Sequence, residues 1–318
     1  MRPPTPTPTP ALNRNGLVLG FGAYLLWGFL PLYFLLLTPA TPTEIIAHRV
    51  VWSLVLCVAV LALTRSLGTL RTVLRSRRTL VTLSGAGALL TTNWLVYVHA
   101  VLSGHTVDAA LGYYINPLVT VVIAVVLLGE RLRRAQWVAL SLGAAAVLVI
   151  SLGAGGLPWI ALVLAATFGT YGLLKNRTGR TVGALTGLTV ETAAVAPLAV
   201  GYLGWLAAQG TLSFTAEGPG QMAALAGLGV VTAAPLLMFA GATRRLPLSV
   251  VGLLQYLTPT LQFLIAVLLF HEEMPAARWW GFVLVWLALV VLSADGLRAG
   301  RTPGRRAPSP PQPLVSAR

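Results

Sequence analysis

Charge is what this sequence has least of. Asp, Glu, Lys and Arg together make up 9% of its 318 residues, against roughly 25% in a soluble globular chain, so water is not its main solvent. A net charge of +14 would suggest nucleic acid in a soluble protein. Here the basic residues sit between apolar runs and in the tails, where membrane topology accounts for them, and no nucleic-acid partner is expected. Cysteine is nearly absent: the single Cys57 excludes an internal disulfide, and no Cys/His cluster has the spacing of a metal site. There is no GxxxxGK[ST] string, so the chain is not expected to hydrolyse ATP itself, and no cofactor is expected. The first fourteen residues, MRPPTPTPTPALNR, lack the charged-then-apolar build of a cleaved signal peptide. The first apolar span must therefore carry the insertion signal.

What the chain has is apolar length, with 56% hydrophobic residues. A helix needs about 20 mostly apolar residues to cross ~30 Å of hydrocarbon. On that rule ten spans are expected, near 17–37, 44–63, 80–102, 107–128, 135–153, 157–174, 183–206, 221–241, 247–270 and 277–294. Lys and Arg are retained on the cytoplasmic side, and they fall almost wholly on even-numbered links and the two tails. The odd-numbered links 38–43, 103–106, 154–156 and 207–220 hold none, and the last holds only Arg278. Both termini are thus expected in the cytoplasm.

A repeat underlies this pattern. LGYYINPLVTVVIAVVLLGE, from Leu111, is echoed 142 residues later by LLQYLTPTLQFLIAVLLFHE, from Leu253. Tyr114 then falls on Tyr256, Pro117 on Pro259, Glu130 on Glu272 and Trp137 on Trp279. The period is too long for a solenoid, so the chain divides into halves. The expected division is a Pro/Thr-rich tail (1–15), a first five-helix repeat (16–153), a second (154–295) and a disordered basic tail (296–318). Five spans is an odd number, so the second half enters the membrane upside down. The expected class is an all-α integral membrane protein of ten transmembrane helices in two inverted repeats. Inverted repeats are a construction of secondary transporters, with the substrate site near midplane at their interface. Pro117 and Pro259 lie mid-span. As proline removes a backbone donor, both are expected to break their helices at the depth of a central site.

The strings HRVVWS (His48 to Ser53), NWLVY (Asn93 to Tyr97), LGYYINPL (Leu111 to Leu118), LGERLRRAQW (Leu128 to Trp137) and QYLTPT (Gln255 to Thr260) resemble those of RarD-type permeases, in the EamA branch of the drug/metabolite transporter superfamily. The resemblance covers nearly all of 16–295 and fails only in the tails. It implies a multi-pass permease of the bacterial inner membrane that moves small organic molecules. It also implies a central cavity lined by the first, third, fourth, sixth, eighth and ninth helices, into which Tyr114 and Gln255 would point.

Charges inside lipid spans are costly and mark function or a buried pair. Arg49 lies about 7–8 Å inside the outer end of the second span at 1.5 Å per residue. Glu191 occupies the same repeat position in the seventh. Their depths differ by about 10 Å in a ~30 Å core, which argues against a direct bridge. Arg49 reads either as a helix-bundling arginine or as a group for a substrate carboxylate or gate; Glu191 has few charge partners nearby in sequence and is a candidate for proton coupling. Glu44 and His48 share a helix face and form either a self-satisfying pair or a pH-responsive gate. Polar residues on a lipid-embedded helix either bond a neighbouring helix or line a cavity, which makes Asn93, Tyr97, Tyr114, Asn116, Gln255 and Tyr256 substrate-site candidates. Trp27, with its echo Tyr171, is expected to face the centre and stack on a substrate. The GxxxG strings Gly16–Gly20 and Gly183–Gly187 read as packing faces. The expected function is secondary-active export of a small metabolite or drug, with the bilayer and protons as partners. The rival is an intramembrane enzyme on a lipid-soluble substrate, which the scattered histidines disfavour.

Overall fold

The computed structural model describes residues 13–129, 131–178 and 182–301. The tails to residue 12 and beyond 301, and with them Glu130 and Arg180, lie outside the described residues. The first half runs α1 (Arg14–Gly28), α2 (Leu30–Leu35), α3 (Pro42–Leu63), α4 (Leu67–Arg75), α5 (Arg77–Leu102), α6 (Thr106–Leu128) and α7 (Arg134–Ala154). The second runs α8 (Trp159–Thr178), α9 (Ala184–Ala208), α10 (Ser213–Ala216), α11 (Pro219–Thr243), α12 (Leu248–Leu254), α13 (Leu257–Leu264), a π-helical turn (Ile265–Leu269) and α14 (Ala276–Arg301). Among the described residues there is no strand. Eight stretches are long and apolar enough to cross a membrane: α3, α5, α6, α7, α9, α11, the run from Val250 through the π turn, and α14. Trp159–Lys175 in α8 is a shorter apolar helix. α14 continues to Arg301, so the expected basic tail from 296 begins as helix.

The helix ends follow from local chemistry. Thr41 caps α3 by accepting from the Glu44 amide, with Pro42 in the first turn, where no N–H is needed. Ser76 caps α5 through Thr79 N. α7 stops on Gly155 at φ 70°, a left-handed position that favours glycine.

The 142-residue repeat is visible element by element. α3 falls on α9, α5 on α11, α6 on α12 through the π turn, and α7 on α14; even the short link helix α4 falls on the region of α10. α7 packs along α14 and α3 along α9, while α1 with α11, α5 with α8, α6 with α8 and α13 with both α1 and α6 build the rest of the bundle. Tight seats join the halves at Gly87 and Gly229, which also stand 142 apart. A Cβ at Gly87 would strike the backbone of Glu191, and one at Gly229 that of Trp52. By the repeat, Glu191 corresponds to Arg49 rather than Trp52. The two seats are therefore out of step by three residues, ~4.5 Å along a helix axis.

The helix breaks differ from those expected. Pro117 sits inside the unbroken α6. The ninth span is interrupted, one turn upstream of Pro259, at Gln255 and Tyr256, and Pro259 itself lies in the first turn of α13. A proline in a helix's first turn removes an N–H that has no intrahelical acceptor, so it starts the helix and does not cut it. The second interruption is at Phe29, between α1 and α2, with Pro31 opening α2. Pro31 cannot donate to the carbonyl of Trp27; Gln262 Nε2 donates to it instead at 3.2 Å. Thr258 Oγ1 likewise donates to Tyr24 O at 2.9 Å. The two interrupted segments, α1–α2 and α12–α13, therefore meet and satisfy one another's backbone, as irregular helix buried in protein must.

Candidate functional site

Arg49 projects from α3 into the seam between the halves and is 2% exposed. Its guanidinium lies 4.0 Å over the ring of Trp94 on α5, and its Nε donates to Thr232 Oγ1 on α11 at 2.9 Å. Nη1 is buried with no hydrogen-bond partner among the described residues. The electrostatic neighbours of the guanidinium are the phenols of Tyr97 and Tyr113. Those rings meet edge to face at 5.5 Å, and Tyr97 also meets Phe34 at 5.8 Å. The Tyr97 hydroxyl is buried beside the Gln262 side chain, and neither it nor Gln262 Oε1 makes a hydrogen bond of 3.5 Å or less. Asn93 is engaged on every side. Its Nδ2 donates to Leu164 O at 3.0 Å and Thr167 Oγ1 at 2.9 Å, and its Oδ1 accepts from Tyr113 at 3.1 Å. It holds α5 to α8 and aims Tyr113 towards the arginine.

Glu191, on α9, has a charge partner after all. Lys175 Nζ donates to its Oε1 at 2.7 Å, and Tyr171 OH donates to Oε2 at 3.3 Å. Lys175 is the chain's single lysine. By sequence it reads as a link residue, but α8 carries its helix through to Thr178, bringing the lysine alongside α9. Gly187 makes room, since a Cβ there would lie 2.8 Å from Nζ. Gly183–Gly187 is thus not a helix-packing face, as no atom comes near Gly183; Gly16 and Gly20 do face α11, α12 and the turn between them, through Leu246, Ala242 and Leu254. The expectation of no direct Arg49–Glu191 bridge agrees with the partners each residue has.

Glu44 is tied less to His48 than to the opposite half. Its carboxylate accepts from Ser213 N at 2.8 Å and Ser213 Oγ at 2.9 Å, whereas His48 Nε2 stands 3.9 Å away. The His48 ring instead stacks on Phe214 at 4.9 Å. Link helix α10 is thereby clamped onto α3. Further ties accompany it: Gln221 Nε2 donates to Leu37 O at 2.6 Å, and Tyr33 OH to Ala224 O at 2.6 Å. Glu272, delivered by the π turn, accepts from Thr106 N at 2.6 Å and Val107 N at 2.8 Å. This caps α6, whose exposed N–H groups favour an anion. Arg278 reaches Asp108 at 3.4 Å. All these ties join odd-numbered links or the helix ends beside them.

On the even-numbered side Arg133 pairs with Asp295 at 2.8 Å, but the counterpart of the Glu44 clamp is weaker. The repeat counterpart of Glu44 is Thr186, which makes one hydroxyl contact, 3.2 Å, with Thr69 in α4. Next to it opens a cleft of about 800 Å³ between α3, α4, α9 and α11, with Arg244 and Arg245 at its rim.

The remaining expected residues do not join Arg49. Tyr114 bonds Thr260 Oγ1 at 2.7 Å and packs on Phe282 and Trp286 of α14. Tyr256 lies in the same second cluster, with its hydroxyl 3.5 Å from Ser293. Asn116 Oδ1 is buried and unpaired, close to Gly169 on α8. Gln255 is exposed at the interruption. Trp27 packs against Tyr24 and Phe239 beside the α1–α13 contact. The residues that complete the Arg49 site, Trp94, Thr232 and Tyr113, were not separable by sequence from ordinary span residues. Only the 3–4 spacing of Asn93, Trp94 and Tyr97 hinted at a shared face.

Comparison with known proteins agrees with this architecture. The model of the EamA-like transporter family matches twice, over residues 14–152 and 156–294. Protein RarD of Streptomyces exfoliatus is 51% identical over 290 residues, spanning 91% of each chain. Protein RarD of Escherichia coli K12 is 38% identical, over 91% of this chain and 97% of that protein. An uncharacterized transporter of Vibrio cholerae serotype O1 is 40% identical over 94% and 98%. A crystal structure at 22% identity covers 89% of this chain with a TM-score of 0.57, which supports the fold alone. With two matched copies of the family domain and near-full-length relatives well above 30% identity, the chain belongs to the EamA-like transporter family and is a RarD-type membrane permease.

Proposed function

We propose that this permease is a secondary-active transporter that exports a small organic molecule by alternating access. Two inverted five-helix repeats would cross the bacterial inner membrane in ten spans, with both termini cytoplasmic. The observation that carries the reading is the unequal closure of the two ends. Symmetry-related positions make a buried two-point carboxylate clamp at one end (Glu44 on Ser213) and a single hydroxyl contact beside a cleft at the other (Thr186 on Thr69). The basic residues of the even-numbered links favour a cytoplasmic position for the cleft end. The described conformation is then closed outside and open inside. The out-of-step glycine seats support the same view, for exchanging their registers would generate the opposite conformation, a shift close to the one-turn slides by which packed helices switch.

In this scheme Arg49 with Trp94, Tyr97 and Tyr113 lies at the central site, and Glu191 with Lys175 and Tyr171 forms the coupling group. A proton on Glu191 would release Lys175, and its loss would restore the pair.

The test compares extracellular metabolites, by mass spectrometry, from cells overproducing the wild type or Arg49→Ala at matched membrane levels. A metabolite enriched outside only with the wild type is expected. Identical pools inside and outside the cell would overturn the transport reading.

A further inference from the structure

Arg49 has no counter-charge among the described residues, and seven of the chain's eight acidic residues are placed elsewhere. Of its eight acidic residues, Glu44 is bound by Ser213, Glu191 by Lys175, Glu272 by the start of α6, Asp108 by Arg278 and Asp295 by Arg133. Glu217 and Glu273 are exposed, and Glu130 is not among the described residues. No described carboxylate lies within 4 Å of the guanidinium. A buried, unpaired charge is costly and persists where something from outside completes it.

We infer that the central site takes an organic monoanion: one carboxylate carried on a flat apolar body. This rests on the transport reading above and names its substrate class. The carboxylate oxygens accept from Arg49 Nη1, which is buried and unpaired and whose planar fork suits a carboxylate, and from the Tyr97 hydroxyl, which would turn to them from its place beside the Gln262 side chain. The apolar body lies against the rings of Trp94, Tyr97, Tyr113 and Phe34, which surround the guanidinium or touch one another. One cation neutralises one negative charge, so the filled site is neutral. A dicarboxylate or phosphate dianion would bury a surplus charge. A neutral or cationic molecule would leave Arg49 as it stands.

The test uses the full chain purified in lipid nanodiscs and a panel of aromatic and branched aliphatic monocarboxylates, among them 3-phenylpropionate. Each acid is paired with its neutral amide, and phenylsuccinate serves as the dianion. Binding is read from the ligand-dependent rise in unfolding temperature. At least one acid is expected to bind tenfold or more tightly than its amide and than phenylsuccinate. Arg49→Met is expected to abolish that preference, Arg49→Lys to keep part of it, and Tyr97→Phe, which removes one hydroxyl and preserves the ring, to weaken acid binding several-fold. Acids that bind no better than their amides, a preference that survives Arg49→Met, or no binding by any acid in the panel would each overturn the inference. Counterflow of the radiolabelled acid in proteoliposomes separates it from the reading it rests on. Arg49-dependent binding without flux would sink transport and leave the site standing. Arg49-dependent flux of a neutral or cationic compound would do the reverse.

Discussion

Arg49 is a buried cation with no counter-charge among the described residues, and that makes its stability signature diagnostic. Arg49→Met removes one charged hydrogen bond to Thr232, about 1.5–3 kcal/mol, and one cation–π contact, roughly 1–2 kcal/mol. It also lifts a desolvation cost of about several kcal/mol. The ligand-free unfolding temperature of Arg49→Met is therefore expected to equal or exceed that of the wild type; a drop of many degrees would mark the arginine as a helix-bundling residue. The Glu191–Lys175 pair carries the opposite expectation. Lys175→Met leaves a fully buried carboxylate unpaired, which destabilises by about 2–4 kcal/mol after allowing for the partial exposure of Lys175. Adding Glu191→Gln should recover most of that loss. A double variant no more stable than Lys175→Met alone would show that the pair is not coupled. Sequence placed both charged residues at equivalent buried positions. It could not show their partners, because Thr232 is 183 residues from Arg49 and Lys175 reaches α9 only when α8 runs one turn further than its apolar stretch.

At the scale of elements, the proline rule was the least reliable guide. Five prolines lie well inside the spans, Pro31, Pro117, Pro197, Pro235 and Pro259, and what decides the outcome is the turn each occupies. Pro117, Pro197 and Pro235 are interior and tolerated, whereas Pro31 and Pro259 each lie in the first turn of a helix that follows an interruption. Link helices were missed for a related reason: α10 is four residues long, too short for any periodicity, and it exists because Glu44 caps it. That dependence is testable. In Glu44→Gln the amide keeps one acceptor and loses the charge, which weakens bonds of about 1.5–3 kcal/mol. Hydrogen–deuterium exchange of the peptide spanning α10 should rise about tenfold, since ~1.4 kcal/mol corresponds to a factor of ten, while the α4 peptide stays unchanged. Equal protection of α10 in variant and wild type would remove the carboxylate clamp from the account of the closed end.

At the scale of the whole molecule, the 142-residue echo of LGYYINP in LLQYLTP made the two-half construction legible, and the fold extends it to four helix pairs and to the link helices. The inversion of one half relative to the other is a separate claim, which rests on five spans per half and on the placement of Lys and Arg. Because α4 and α10 are counterparts, they test it directly. The single Cys57 is replaced by serine, and cysteine is introduced at Thr72 in α4 or at Ala216 in α10, both exposed. In intact cells a membrane-impermeant maleimide is expected to label Ala216→Cys, and to reach Thr72→Cys only after permeabilisation. Labelling of both from the same side would mean that the halves are parallel, which would remove the basis for alternating access by register exchange. Labelling of Thr72→Cys alone would keep the inversion and turn the molecule over. The cleft rimmed by Arg244 and Arg245 would then face outwards, and the described conformation would be poised for uptake.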